Sequence, residues 1–349
     1  MIDHLIGPLA KVNDVSSILL ICRRPGPIIP KVEYHCPPKF FSRMAVTYIL
    51  YEFFNLLYCA IFERPTHVVG FLLYPHGLMA FIVAKLTRRK IIISLIAGPA
   101  ELRPEGSIQG NDYNNTTLPW LGKMFLGILK RCDAIITTGS FTKDYLVRNY
   151  IETPIYSMIN PPNKSRFHPL EVPKIYDVVS IGRLVPLKHF EIIIHAISKV
   201  KEKYPDIKAV IVGDGTCKTR LINLADELGI KKNIDFAGFQ KDTPYYYNSA
   251  KIFVHSSKRE GFPNVFLEAM ACGLPCVISN CGDIIDIARD GSNSLIIQDF
   301  KDSDEYTCAI IKLLENEVLY HKISQNALKT IESLSDENIA SQWQLLLGK

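Results

Sequence analysis

The sequence predicts an α/β protein built from two doubly wound domains, and three observations carry that expectation. The chain has 349 residues, more than twice the roughly 150 of a typical domain. Short apolar runs recur along it with helical stretches between them, the pattern of parallel sheets covered on both faces. A short polar, proline-containing segment, Asn160-Pro161-Pro162-Asn163, divides these runs into two sets. A composition of 48% hydrophobic and 21% charged residues excludes a disordered or collagen-like chain.

In chain order, Met1–Ile6 reads as helix and Ser17–Cys22 as the first convincing strand. Phe40–Phe62 is aromatic-rich and long enough to span a bilayer, but Arg43, Glu52 and Asn55 interrupt it. Charges at mid-bilayer cost a few kcal/mol each, so a long, largely buried helix is expected in preference to a partly exposed, lipid-facing one. Further strands are expected at His67–Phe71, Lys90–Leu95, Ala134–Thr138 and Ile155–Ile159. Helices are expected near Gly77–Leu86, Leu118–Arg131 and Phe141–Tyr150. The second set has strands at Asp177–Ile181, Ala209–Val212, Ile234–Ala237, Ile252–His255, Pro275–Ile278 and Leu295–Ile297. Its helices include His189–Lys203, Thr219–Leu228 and Asn264–Ala271. A last helix, from about Ser335 to Leu347, follows the second sheet. In such sheets ligands bind beyond the carboxyl ends of the strands, here expected to face a cleft between the domains.

Charge is unevenly placed. Residues 1–165 hold 18 Lys+Arg against 11 Asp+Glu, net +7, within a whole-chain charge of +5. A basic half suits an anionic partner such as a membrane surface or a phosphorylated substrate; the bland alternative is a solvated face. No nucleic-acid-binding motif accompanies it. Nine cysteines include no C-x-x-C pair. Cys272, Cys276 and Cys281 cluster in an apolar stretch whose spacing does not suit zinc, so free buried thiols in a reducing cytosol are expected. The N-terminus has no basic flank followed by an apolar run, so no signal peptide is expected.

The chemistry concentrates between Ile181 and Gly291. Gly182-Arg183 ends a strand, and Lys188 follows on the loop that opens a helix. Glycine lets a ligand approach the backbone, Arg183 offers a planar fork for phosphate oxygens, and Lys188 adds a point charge. The alternative is an ordinary pair of surface cations. Val212-Gly213-Asp214-Gly215 turns a strand into a helix, but Lys218 breaks the full G-x-G-x-x-G fingerprint, which disfavours a dinucleotide dehydrogenase. That turn suits structure as well as ligand binding. In Glu260-Gly261-Phe262-Pro263-Asn264-Val265-Phe266-Leu267-Glu268 two carboxylates lie eight apart. One precedes a Gly-Phe-Pro turn and the other sits about a turn into the following helix. Each carboxylate offers about four acceptor sites, which suits sugar hydroxyls; the alternative is two helix-flanking charges.

Gly182-Arg183, Lys188, the Gly213-Asp214-Gly215 turn and Glu260-x7-Glu268 resemble, in order and spacing, glycosyltransferase family 4, the retaining nucleotide-sugar transferases of the GT-B fold. The resemblance covers most of residues 133–349 and includes Asp133-Ala134-Ile135-Ile136 with Ser140. It implies two Rossmann-like domains. Residues 1–162 would bind the acceptor, residues 163–334 would bind the nucleotide-sugar donor, and residues 335–349 would be a helix crossing back to the first. It implies Arg183 and Lys188 on the donor diphosphate and Glu260 on the donor sugar, helped by backbone N–H groups of Phe262, Asn264 and Val265 in the turn with Gly261 and Pro263. (Proline has no N–H, so Pro263 would contribute only its place in the turn.) Glu268 would hold the ribose and Gly238-Phe239 would lie along the base. It implies no metal and no cofactor beyond a donor such as a UDP- or GDP-sugar. His76, in Tyr74-Pro75-His76-Gly77, and Gly98 would lie on the acceptor side.

The sequence departs from the family in two places. Ala97 stands where many relatives place a second histidine, and no strand with a Gly-rich loop precedes Ser17–Cys22. Either the native start lies upstream of Met1, or the first domain is expected to lack its usual first strand. The function implied is a retaining, hexosyl-transferring, metal-independent enzyme of polysaccharide or glycolipid assembly, acting on a glycan or lipid-linked acceptor. It would be cytoplasmic, with peripheral association to the inner face of the cell membrane. A sugar-nucleotide epimerase of the same architecture and a non-catalytic sugar-nucleotide-binding protein are the alternatives.

Overall fold

A computed structural model describes residues 2–38, 45–102 and 120–348. The chain forms two compact units: Met1–Asn160 together with Ser335–Lys349, and Pro161–Leu334.

The first unit opens with helix α1 (Ile2–Ala10), strand β1 (Ile18–Ile21) and strand β2 (Val32–His35), followed by helix α2 (Ala45–Phe62). Then come β3 (His67–Phe71), α3 (Leu78–Thr87), β4 (Lys90–Leu95), α4 (Trp120–Leu129), β5 (Ala134–Thr137), α5 (Ser140–Arg148) and β6 (Ile155–Ser157). Strands β3-β4-β5-β6 form a parallel sheet in chain order, with β3 at one edge, while β1 and β2 pair in parallel as a sheet of their own. The central strand β4 reads KIIISL, and all but its first residue are buried. That continuous apolar run is what a strand covered on both faces requires. The pair β1–β2 shows why β2 escapes a reading of the sequence: it is four residues long and carries Glu33, which is exposed.

The second unit contains β7 (Tyr176–Ile181), α6 (Phe190–Lys203), β8 (Ala209–Val212), α7 (Lys218–Glu227), β9 (Ile234–Gly238) and α8 (Thr243–Asn248). It continues with β10 (Ala250–His255), α9 (Asn264–Ala271), β11 (Cys276–Ser279), β12 (Leu295–Ile297), α10 (Ser303–Glu315) and α11 (Glu317–Ser333). Its six strands are parallel in the order β12-β11-β10-β7-β8-β9. The chain winds outward from β7 through β8 and β9, then returns to the other side of β7 with β10. The order therefore reverses between β7 and β10, and in open α/β sheets that crevice is where ligands bind. The apolar faces of α6 (Ile193, Ile194, Ile197, Val200) and α10 (Tyr306, Ile310, Leu313) close one side of the core.

The final helix, α12 (Asp336–Leu347), belongs to the first unit. Ser335 caps it by accepting from Asn338 N at 3.2 Å. Its Trp343 is fully buried in a cluster with Ile6, Leu9, Ile136 and Met158. Lys11, just beyond α1, bridges to Asp336 at 2.8 Å.

Helix α2 corrects one expectation. It is not largely buried: Val46, Leu50, Phe54, Tyr58 and Phe62, spaced four residues apart, are 66%, 52%, 62%, 54% and 66% exposed. The opposite face buries Glu52, Cys59 and Ala60, and Glu52 can be buried because His76 lies 2.9 Å away. Residues 40–44 of the expected Phe40–Phe62 helix, Arg43 among them, lie outside the described residues, as do 118 and 119 at the start of the expected Leu118–Arg131 helix. Among the described residues no helix is long and apolar enough to cross a membrane.

Candidate active site

The loops at the carboxyl ends of β7, β8 and β9 are bonded to one another through their backbones. Gly182 N donates to Val212 O at 3.0 Å, Leu184 N to Asp214 O at 2.9 Å, and Gly213 N to Gly238 O at 2.8 Å. The approach is so close that a Cβ on Gly213, at φ +146°, would lie 1.8 Å from Gly182 O. Glycine is required at this crossing by sterics alone, so the Gly213 turn has a structural reason to exist whether or not a ligand touches it. Arg183 projects from this layer, exposed and without an ion-pair partner among the described residues. Phe239, immediately after Gly238, is 72% exposed.

Lys188 ends a short turn, Pro186–Lys188, before α6. The turn is tied to the end of β10: Ser256 Oγ donates to the carbonyls of Lys188 and His189, each at 2.9 Å, and Lys258 N donates to Leu187 O at 3.1 Å. This lacing places Lys188 Nζ in an ion pair with Glu260 Oε1, both side chains mostly buried. Ser257 Oγ donates to the same oxygen at 2.8 Å, and His255 Nε2 lies 3.5 Å from it. Burial pushes the Glu260 carboxyl up, but His255 and Lys188 outweigh it and hold it at about 2. The loop after β11 clamps the other side: a Cβ on Gly282 would lie 2.2 Å from Glu260 O, and Asp283 N donates to Gly261 O at 2.8 Å.

Gly261-Phe262-Pro263 then leads into α9, whose first residues are Asn264 and Val265. No side chain caps this helix; Phe266 N donates to Pro263 O at 3.0 Å, and the amides of Asn264 and Val265 are left for other partners. Glu268 sits one turn in. Its Oε2 accepts from the fully buried Tyr247 hydroxyl at 2.9 Å. Burial raises its carboxyl above the ordinary 4.5, against lowering by Tyr247. The site is thus anionic at two points, one ion-paired and one held by a neutral phenol.

The structure brings Gly182, Gly213 and Gly238 together by backbone, and Lys188 and Glu260 together by side chain. Glu268 joins Tyr247 rather than Lys188. The two residues expected on the acceptor side lie in the first unit. His76 pairs with Glu52 at 2.9 Å; that partner raises its imidazole above the ordinary value, against lowering by burial. Gly98 starts a turn, Gly98–Leu102, whose Glu101 accepts from Leu73 N and Ala97 N, each at 2.6 Å. Burial pushes Glu101 up to about 7, against those amides.

Sequence reasoning missed Ser257, His255, Tyr247, Glu52 and Glu101. Only Ser257, three residues before Glu260, had a local signal. Cys272, Cys276 and Cys281 are free and buried, and burial pushes the Cys272 and Cys281 thiols up to about 12. Among the described residues no cluster of three His, Cys, Asp or Glu is arranged to hold a metal.

Comparison with known proteins follows the same residues. Residues 163–330 match the family described as glycosyl transferases group 1. An uncharacterized glycosyltransferase of Haemophilus influenzae is 28% identical over 237 residues, 68% of this chain and 67% of the relative. The lipopolysaccharide core biosynthesis glycosyltransferase LpsE of Rhizobium meliloti is 32% identical over 174 residues, 49% of this chain and 50% of the relative. For most such relatives the alignment spans about half their length or less. Among solved structures, Anabaena HepE in complex with UDP and glucose superposes with a TM-score of 0.78 at 18% identity, covering 99% of this chain and 95% of that one. The sucrose-phosphate synthase of Thermosynechococcus elongatus superposes at 0.71 and 18% identity, covering 93% and 81%. Residues 163–330 are thus similar to the glycosyl transferases group 1 family, and the chain as a whole carries the GT-B fold.

Proposed function

We propose that this protein is a retaining, metal-independent glycosyltransferase that moves a hexosyl group from a nucleotide sugar to a glycan or lipid-linked acceptor in polysaccharide or glycolipid assembly. One observation carries the reading: Lys188 and Glu260 meet at the carboxyl ends of β7 and β10, where the strand order reverses. A cation and a hydroxyl-binding carboxylate side by side match the junction of a sugar with a diphosphate. The motif spacing supports the finer placement in family 4. The UDP and UDP-glucose complexes of Anabaena HepE and a UDP-galactose-dependent relative in Escherichia coli, 31% identical over 142 residues, support a UDP-sugar donor.

In this reading Arg183 and Lys188 meet the charge that builds on the diphosphate as it leaves. Glu260 accepts from donor-sugar hydroxyls, with the free amides of the Phe262–Val265 turn beside it. Glu268, steadied by Tyr247, accepts from the ribose, and Phe239 lies along the base. His76 and Gly98 face the acceptor in the first unit. With no dedicated nucleophile, the acceptor hydroxyl adds on the face the diphosphate leaves, and its proton passes to the departing phosphate, by analogy with the fold family. The exposed apolar stripe on α2 and the positive charge of residues 1–165 support peripheral attachment to an anionic membrane, where a lipid-linked acceptor would be met.

The test is a panel of UDP- and GDP-sugars scored for nucleotide release with and without a lipid extract. Acceptor-dependent release is expected, and Arg183→Ala and Lys188→Ala should each lower turnover about a hundredfold or more, since deleting one preorganised donor to the transition state costs roughly 3–4 kcal/mol. Turnover within threefold of wild type in both variants would overturn the assignment. Sugar rearrangement without any acceptor would indicate an epimerase instead.

A further inference from the structure

His255 makes none of the proposed donor contacts, yet it sits in the middle of the site. It is the last residue of β10 and is 4% exposed. Its ring runs nearly parallel to that of Phe253, 25° between planes with centroids 6.4 Å apart, and neither ring nitrogen has a hydrogen-bond partner within normal geometry. A buried polar group left this way is costly, and an apolar side chain would pack there without that cost. A polar neighbour accounts for its presence: Nε2 lies 3.5 Å from Glu260 Oε1.

The contacts on that oxygen come from three places. Lys188 reaches it from the turn after β7, Ser257 from the loop after β10, and His255 from the strand end itself. They fall on Oε1, which leaves Oε2 to meet a ligand. Lys188 is the strongest of them, but a donor diphosphate competes for its ammonium. When Lys188 turns to phosphate, the contacts that remain on Oε1 are Ser257 and His255. Burial holds the imidazole below its ordinary value, against raising by Glu260, which favours the neutral ring. It can then present an N–H to the carboxylate without competing with Lys188 for negative charge.

We propose that His255 is a positioning residue: its Nε2–H holds Glu260 Oε1 so that Oε2 keeps its aim at the donor-sugar hydroxyls after Lys188 has engaged the diphosphate. This rests on the reading of Glu260 as the sugar-binding carboxylate. It also separates two tasks, since His255 would act on recognition of the sugar and not of the nucleotide.

The experiment is calorimetry with UDP and with whichever of UDP-glucose, UDP-galactose and UDP-N-acetylglucosamine the wild-type protein binds most tightly. His255→Leu should weaken the sugar nucleotide tenfold or more and leave UDP within twofold. His255→Gln, which keeps an N–H donor at similar reach, should recover most of the loss. In a Glu260→Gln background His255→Leu should add nothing, the signature of a residue acting through its neighbour. Equal weakening of UDP and sugar nucleotide, no weakening of either, or additive losses in the double variant would overturn the role. If His255→Leu fails to give a cooperative thermal melt, the comparison is His255→Gln against the shorter His255→Asn. Only Gln should then bind the sugar nucleotide like wild type, and equal binding by both overturns the proposal. A wild-type protein that binds UDP but no sugar nucleotide overturns the reading of Glu260 and the role of His255 with it. Wild-type sugar binding unchanged by His255→Leu overturns the role of His255 alone.

Discussion

Glu260 keeps its charge in a nearly dry place because a lysine, a serine and a histidine converge on one of its oxygens. Its folded value of about 2 lies below the ordinary 4.5. The folded state therefore binds fewer protons than the unfolded chain between these values, and stability rises with pH across that window. The contribution is complete above about pH 4.5 and is lost as pH falls toward 2. Urea melts at pH 5, 4 and 3 should show a steeper acid loss in wild type than in Glu260→Gln; parallel slopes would remove the carboxylate from the account. Glu268 has the opposite sign, with a carboxyl raised above 4.5 by burial, so stability falls as pH rises through its folded value. Donor binding should improve over the same rise, because only the ionised group accepts fully from ribose hydroxyls. Glu268→Gln should raise the donor KM about ten- to hundredfold, for a charged hydrogen bond worth about 1.5–3 kcal/mol, and should erase that pH dependence. Unchanged donor binding by calorimetry would make Glu268 a helix residue only. Glu260 and Glu268 could be picked out in the sequence because they lie eight apart, and Lys188 because it closely follows Gly182-Arg183. Tyr247 and His255 could not, since their value depends on which strand and helix they face across the sheet.

At the scale of elements, the strands of the second unit could be read because each is a short, mostly apolar run ending in a glycine or polar turn. The short β2, the Tyr-rich α8 and helices α10 and α11 could not be placed that way, and α2 was misjudged. Its apolar residues go all round, and periodicity cannot tell which stripe meets the core. The contacts among strand-end loops were also invisible in sequence, and they yield a prediction. Gly213→Ala would drive a Cβ into Gly182 O at 1.8 Å, so the loops carrying Arg183 and Phe239 must shift. A loss of roughly 2–4 kcal/mol is expected, in the range of other backbone-strain substitutions, together with weaker UDP binding. Gly229→Ala is the control. It too has positive φ, +66°, but nothing within 4 Å of the added Cβ, so only the left-handed penalty of about 1–2 kcal/mol applies. Equal losses in the two variants would show that conformation, not the crossing of the loops, sets the requirement at Gly213.

Across the whole molecule, charge and apolar exposure fall in the same half of the sequence. The net +7 of residues 1–165 accompanies the α2 stripe of Val46, Leu50, Phe54, Tyr58 and Phe62. Helix α3, which packs beside α2, adds Leu86 at 68% exposed. Arg64 follows α2 after Glu63, and Arg88 to Lys90 follow α3. Apolar side chains flanked by cations suit the boundary between lipid headgroups and acyl chains, where each basic residue near an anionic surface adds about 1 kcal/mol. That attraction is screened over about 10 Å at 0.1 M salt, so the two contributions can be separated. The protein should sediment with vesicles containing anionic lipid at low salt, and less so as salt rises, while neutral vesicles retain little of it. Phe54→Ser with Tyr58→Ser should lower binding about tenfold or more at every salt concentration without changing its salt dependence, because the pair removes buried apolar area and no charge. Replacing Arg88 and Lys90 by Gln should do the reverse, flattening the salt dependence. A protein that fails to sediment with anionic vesicles at low salt has no membrane-facing stripe, and α2 is then an exposed helix whose apolar face serves something else.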